Sequence, residues 1–218
     1  MEYRMVKVIN TFLGLGFFTA SFIANADQTI ENHDGLGIPY ELISLANEST
    51  ISFSEDKITI LAKKGTDLYT NADGSSSADN APRVFFQPKS DFTLSAKVTA
   101  DFTKAYDGGA LFVYADTDNW AKFLFERFKS GDNGIASTVT KTTGDDTYHN
   151  LVSDNEIYLR ITRKDNSMTL FYSDDGQDWL YRRSFSLKST KPIKVGFLAQ
   201  SPISTSHKVV YSDIHFNQ

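Results

Sequence analysis

The stretch Phe92–Thr99 most constrains the fold. Phe92, Leu94, Ala96 and Val98 alternate strictly with Thr93, Ser95, Lys97 and Thr99. A period of two over that length belongs to a strand with one face in a core and the other toward water. The same alternation recurs at Ile58, Ile60 and Ala62, and at Ile157, Leu159 and Ile161 against Tyr158, Arg160 and Thr162. Strands are also expected at Ile135–Thr140, Met168–Ser173, Trp179–Phe185, Ile193–Gln200 and Lys208–Phe216. No stretch beyond residue 26 sustains a helical period over helical length. About ten short strands joined by turns predict an all-β chain, an antiparallel sandwich, with a closed barrel as the alternative.

Within that pattern the centre is Tyr106–Phe128. The apolar run Gly109–Ala115 meets the polar cluster Asp116–Asn119, and a second run follows from Trp120, as in a β-hairpin. On the second run Ala121, Phe123 and Phe125 suit a core, which leaves Trp120, Lys122 and Glu126 on the opposite face. A lone Glu beside a Lys on such a face is read first as an ion pair. Asn71–Pro82 is a loop by composition, either a plain connection or a lid. Ile38–Ala46 fits a short helix or an extended edge equally well.

Residues 1–26 have the form of a secretory signal peptide. Arg4 and Lys7 precede the apolar run Val8–Ile23, and Ala24-Asn25-Ala26 suits cleavage. Residues 27–37 are expected to be a flexible lead-in and residues 38–218 a single domain. Removing the signal leaves 20 basic and 26 acidic residues, a net charge of −6. That balance speaks against nucleic acid as a partner, for which a basic face is needed. The chain has no cysteine, so disulfides, thiolate metal sites and a cysteine nucleophile are excluded. A periplasmic or secreted location follows from the signal, with no membrane association after cleavage and a monomeric state.

Chemistry-bearing motifs are sparse. Asp174-Asp175-Gly176 suits a hairpin turn, with a calcium site as the alternative; no other cofactor is expected. The histidines lack metal-ligand spacing, and no nucleophile elbow or phosphate loop occurs. The paired carboxylates of β-sandwich glycosidases are missing from any one strand. Outward polar and aromatic groups on other strands, namely Arg160, Tyr172 and Gln200, would join Trp120, Lys122 and Glu126 in one groove if their strands were neighbours.

Five stretches, in order, resemble the concanavalin A-like lectin/glucanase-type domain family of unknown function that includes the regulator-of-enolase protein. They are Tyr106-Asp107-Gly108-Gly109 with Trp120-Ala121-Lys122 and Glu126; Val139-Thr140 leading to Asp145-Asp146; Tyr158-Leu159-Arg160-Ile161 with Arg163; Ser173-Asp174-Asp175-Gly176 with Trp179 and Arg182-Arg183; and Val195–Pro202. The resemblance implies a jelly-roll sandwich of two curved antiparallel sheets, whose concave face binds carbohydrate in similar folds and which accompanies β-xylosidases. Trp120, Lys122, Glu126, Arg160 and Gln200 match the family pattern. Gly144 and Ser204–His207 depart from it. The resulting expectation is an exported, non-catalytic module that binds a glycan through Trp120, Lys122, Glu126, Arg160, Tyr172 and Gln200. A hydrolase or lyase using Glu126, with Asp145 or Asp146 as second carboxylate, is the enzymatic alternative. A structural or protein-interaction domain is the third.

Overall fold

The computed structural model describes residues 28–218; the signal-like segment lies outside the described residues. Seventeen strands follow one another among the described residues: β1 (Gln28–Glu31), β2 (Leu42–Leu45), β3 (Thr50–Phe53), β4 (Ile58–Lys63), β5 (Leu68–Thr70), β6 (Ser77–Asp79), β7 (Arg83–Phe86), β8 (Phe92–Ala100) and β9 (Gly108–Asp116). They continue with β10 (Asn119–Arg127), β11 (Asn133–Lys141), β12 (Thr143–Leu151), β13 (Glu156–Lys164), β14 (Ser167–Ser173), β15 (Leu180–Ser186), β16 (Lys194–Gln200) and β17 (Ser206–Asn217). Among the described residues the only helical element is a 3-10 turn at Asp34–Leu36.

Two antiparallel sheets form a jelly-roll sandwich. One has eight strands in the order β1-β2-β7-β16-β9-β10-β11-β12; the other has seven, β15-β14-β13-β8-β17-β4-β3. The alternation predicted from sequence supplies the core between them. Phe92, Leu94, Ala96 and Val98 of β8 meet Leu111, Val113, Phe123 and Phe125 of the facing sheet. Gly109 permits the close approach: a Cβ there would stand 2.5 Å from Val209 Cγ1 and 3.1 Å from the Tyr211 hydroxyl. That buried hydroxyl is satisfied at the same place, accepting from the Ala110 amide at 2.8 Å and donating to the Leu198 carbonyl.

The structure specifies three segments further. Residues 28–37 are built into the structure: β1 pairs with β2, and Leu36 is buried. Ile38–Ala46 is extended, with β2 held between β1 and β7. The segment Asn71–Pro82 holds the exposed turn and second strand of a small hairpin of β5 and β6. Leu68 and Ala81 of this hairpin pack on Phe112, Trp120 and Leu198, forming a second apolar cluster on the outer face of the eight-stranded sheet. Anchors at its base hold it there: Asn80 accepts from the Asp67 amide at 2.9 Å and donates to the Gly65 carbonyl at 3.0 Å.

The Asp174-Asp175-Gly176 segment forms a tight turn with Gly176 at φ 76°. Asp175 Oδ1 accepts from the amides of Gln177 and Asp178 at 2.8 and 2.9 Å, which hold its carboxyl below the usual range. Turn chemistry thus accounts for this aspartate.

Candidate functional site

The outer face of the eight-stranded sheet is a lattice of side chains set by register. One row crosses it as Phe112, Lys122, Thr138 and Asp146. Two residues along, Ala110, Leu124, Ala136 and Tyr148 are aligned. The next row is Gln200, Gly108, Glu126 and Gly134. Glycines therefore flank Glu126 on both neighbouring strands. A Cβ at Gly108 would lie 3.1 Å from Glu126 Cβ and 3.5 Å from Gln200 Cγ. A side chain at Gly108 would crowd the stems of Glu126 and Gln200.

These rows border a cavity of about 400 Å³. Lys122, Glu126 and Gln200 lie at its sheet side, Thr138 and Asp146 flank it, and Asp67, Tyr69, Tyr106 and Tyr148 complete the walls. Asp67 and Tyr69 come from the β5–β6 hairpin. Tyr106 comes from the turn before β9 and adopts a positive φ of 69°, a conformation uncommon for a bulky residue. The turn is fastened by buried Asp107, which accepts from the amides of Thr103 and Lys104 and from the Ser204 hydroxyl.

Lys122 is only 4% exposed. Its ammonium donates to Gln200 Oε1 at 2.8 Å and pairs with Asp67 Oδ1 at 3.3 Å. Gln200 in turn donates to the Tyr106 carbonyl at 2.9 Å. Thr138 donates to Asp146 Oδ1 at 2.5 Å. Glu126 is different. The residue is 5% exposed, and its carboxyl opens on the cavity with no protein hydrogen bond or ion pair among the described residues. Burial pushes its pKa up to about 7; Lys122 opposes the rise, while Asp67 and Asp146 add to it. Near neutral pH the group therefore exists in both forms. It can accept a hydrogen bond or donate one.

Of the six residues expected at one groove, Lys122, Glu126 and Gln200 are brought together. The Lys122–Glu126 ion pair expected from sequence is absent, because Asp67 and Gln200 occupy the ammonium. Trp120 lies on the predicted face but is 1% exposed beneath the β5–β6 hairpin, so its ring cannot stack on a ligand. Arg160 belongs to β13 in the other sheet, where its guanidinium stacks on Trp179 at 3.5 Å from the ring centre. Tyr172 faces the main core with Met168 and Leu170, and Arg182 covers its ring at 4.3 Å. Asp145, one of the two carboxylates considered as a partner for Glu126, turns to Arg183. Asp146 lines the cavity.

Sequence reasoning passed over Asp67, Tyr69 and Tyr148. A faint signal existed for the first two: Asp67 and Tyr69 alternate with Leu68 and Thr70, both buried, just before the Asn71–Gly74 turn. Tyr148 alternates with Asp146 on a strand too polar to be recognised as one.

These features define a jelly-roll sandwich with a polar, tyrosine-walled cavity on the outer face of its larger sheet. The chain belongs to the family described as protein of unknown function (DUF1349), whose model matches residues 45–218. No curated protein sequence matches it. A functionally unknown protein from Saccharomyces cerevisiae shares the fold with a TM-score of 0.72 and 20% identity, over 77% of this chain and 91% of that one. The xylan β-1,4-xylosidase from Bacillus halodurans C-125 gives 0.67 and 13% identity, over 87% of this chain but 38% of the enzyme. The alginate lyase from Klebsiella pneumoniae gives 0.50 and 9% identity, over 78% and 84%. At such identities the likeness establishes the fold alone.

Proposed function

We propose that the protein is an exported, non-catalytic carbohydrate-binding module that takes a sugar into the cavity of the eight-stranded sheet. The observation that carries this reading is the buried Glu126 carboxyl, which no protein group satisfies. A carboxyl that lines a cavity and is left free by the protein can accept from, or donate to, a ligand hydroxyl. Lys122, Gln200 and Asp146 stand beside it as donors and acceptors, and Tyr69, Tyr106 and Tyr148 offer ring faces and hydroxyls. A few convergent polar groups within partly apolar walls are what a small-ligand site requires. Export is supported by the signal-like residues 1–26, and kinship with the regulator-of-enolase protein by the five sequence motifs.

Calorimetric titration of the protein with a panel of plant and bacterial mono- and oligosaccharides tests the proposal. Binding that is weakened in Glu126→Gln and in Gln200→Ala is the expected result. No heat from any sugar at millimolar concentration would overturn it.

One observation favours an enzymatic reading. A carboxyl raised to about 7 has the protonation behaviour of a general acid, and Asp146 offers a second carboxylate on the same cavity. Release of reducing ends or unsaturated products from a polysaccharide, abolished by Glu126→Gln, would establish it. Binding without turnover would leave the module reading standing.

A further inference from the structure

We infer that the cavity selects a sugar carrying a protonated amine, of the hexosamine class, with its ammonium against the Glu126 and Asp146 carboxyls, and that it rejects uronic acids. This deepens the carbohydrate-binding reading and rests on it.

The charge inventory of the cavity is one-sided. Three carboxylates line it, Asp67, Glu126 and Asp146, against a single cationic side chain, Lys122. That one ammonium is already committed, to Asp67 at 3.3 Å and Gln200 at 2.8 Å. No arginine lines the walls, so a ligand carboxylate would find no bidentate partner. Asp67 from the hairpin and Asp146 from β12 both act on Glu126 in the sense of a negative surrounding, and only Lys122 on its own strand opposes them. The other polar groups facing it, the tyrosines and Thr138, are neutral. Tyr148 feels the same field, its hydroxyl pushed upward by burial first and then by Glu126 and Asp146.

A cation entering this field gains from all three carboxylates and meets no free positive group. Seated beside Glu126, it stabilises the ionised carboxylate, so binding drives a proton off that residue. A neutral sugar gains hydrogen bonds without this attraction. A uronate meets the Asp67 and Asp146 carboxylates, joined by Glu126 in its ionised form, and like charges brought together in a partly buried site are the means by which a site rejects a wrong ligand.

The test is calorimetry on the full chain with glucosamine, N-acetylglucosamine and glucuronate, each at pH 6.5 in two buffers of different ionisation enthalpy. Glucosamine should bind at least about tenfold more tightly than its acetylated form, the scale of one charge-assisted contact. It should also release protons, which N-acetylglucosamine should not, and glucuronate should give no heat. Glu126→Gln should abolish proton release and bring the two amine forms within about threefold of each other, the ammonium contact being lost. A thermal melt verifies that the variant is folded, and Asp146→Asn provides a second variant, expected to weaken glucosamine alone. Equal affinity for glucosamine and N-acetylglucosamine, or measurable glucuronate binding, overturns the inference. If neutral sugars of the wider panel bind and glucosamine has no advantage, the inference fails while the carbohydrate reading stands. If no sugar binds at all, both fail.

Discussion

Lys122 and Glu126 lie four residues apart on the same face of β10, yet they form no ion pair. The Lys122 ammonium is drawn to Gln200 at 2.8 Å and to Asp67 at 3.3 Å, and the Glu126 carboxyl is left buried and unpartnered. A charge network that satisfies one member and leaves its neighbour poised is a stability cost, and such costs collect at functional sites.

The first consequence is a pH signature. The folded-state pKa of Glu126 is raised from 4.5 to about 7. Below pH 4.5 the residue is protonated in both folded and unfolded chains and costs nothing. Between pH 4.5 and 7 the unfolded chain ionises first, so stability falls as pH rises, by up to about 3 kcal/mol at 1.36 kcal/mol per pKa unit. Glu126→Gln removes this loss. Denaturant unfolding should show the variant more stable than wild type at pH 7.5 by 1 to about 3 kcal/mol, with the gain vanishing near pH 4.5. A variant no more stable than wild type at pH 7.5 would contradict the raised carboxyl.

The adjacent glycines should behave differently on substitution. A Cβ at Gly109 meets Val209 at 2.5 Å and Val98 at 3.0 Å within the packed layer between the sheets. Gly109→Ala should therefore cost about 1–3 kcal/mol by overpacking. A Cβ at Gly108 would meet Glu126 Cβ at 3.1 Å and Gln200 Cγ at 3.5 Å, a milder crowding. Gly108→Ala should cost less than Gly109→Ala, because its contacts are looser, while shifting Glu126 and Gln200 and reducing sugar affinity. Parallel melts and titrations of the two variants make the comparison.

Trp120 serves packing. Trp120→Ala should cost about 3–5 kcal/mol, in the range for large aromatic truncation, because the cluster with Phe112, Leu124 and Leu68 loses its largest member. Urea unfolding measures it; a loss below 1 kcal/mol would mean that the hairpin does not cover this ring.

Arg160 offers the opposite contrast. It belongs to the seven-stranded sheet, so Arg160→Ala should leave ligand affinity in the cavity unchanged. The lost stacking on Trp179 should cost about 0.5–1 kcal/mol. Weakened sugar binding in this variant would place a ligand on the other face of the sandwich.

Much of the site was legible on single strands. Parity along β10 places Ala121, Phe123 and Phe125 in the core and Lys122 and Glu126 on the outer face, because successive side chains of a strand must point to opposite sides. The same rule, applied to β14, puts Tyr172 with Met168 and Leu170 in the core; grouping Tyr172 with the outward residues went against that alternation. Strand β12 escaped notice because Thr143–Leu151 is an edge strand, polar on both faces, and an apolar periodicity cannot report such a strand.

The chain by itself determined the all-β architecture, the face each confident strand turns to the core, and the placing of Lys122 and Glu126 on one face of one strand. These depend on periodicity and on short-range sterics, which act between residues close in the chain. Tertiary structure alone decided which strands became neighbours. It set Gln200 beside Lys122 across 78 residues of chain and Asp67 beside it across 55, and it carried Arg160 to the far sheet. It also folded the β5–β6 hairpin over Trp120 and gave Glu126 its buried, unpartnered place. Strand order and burial arise from packing over the whole sandwich, and no local pattern encodes them.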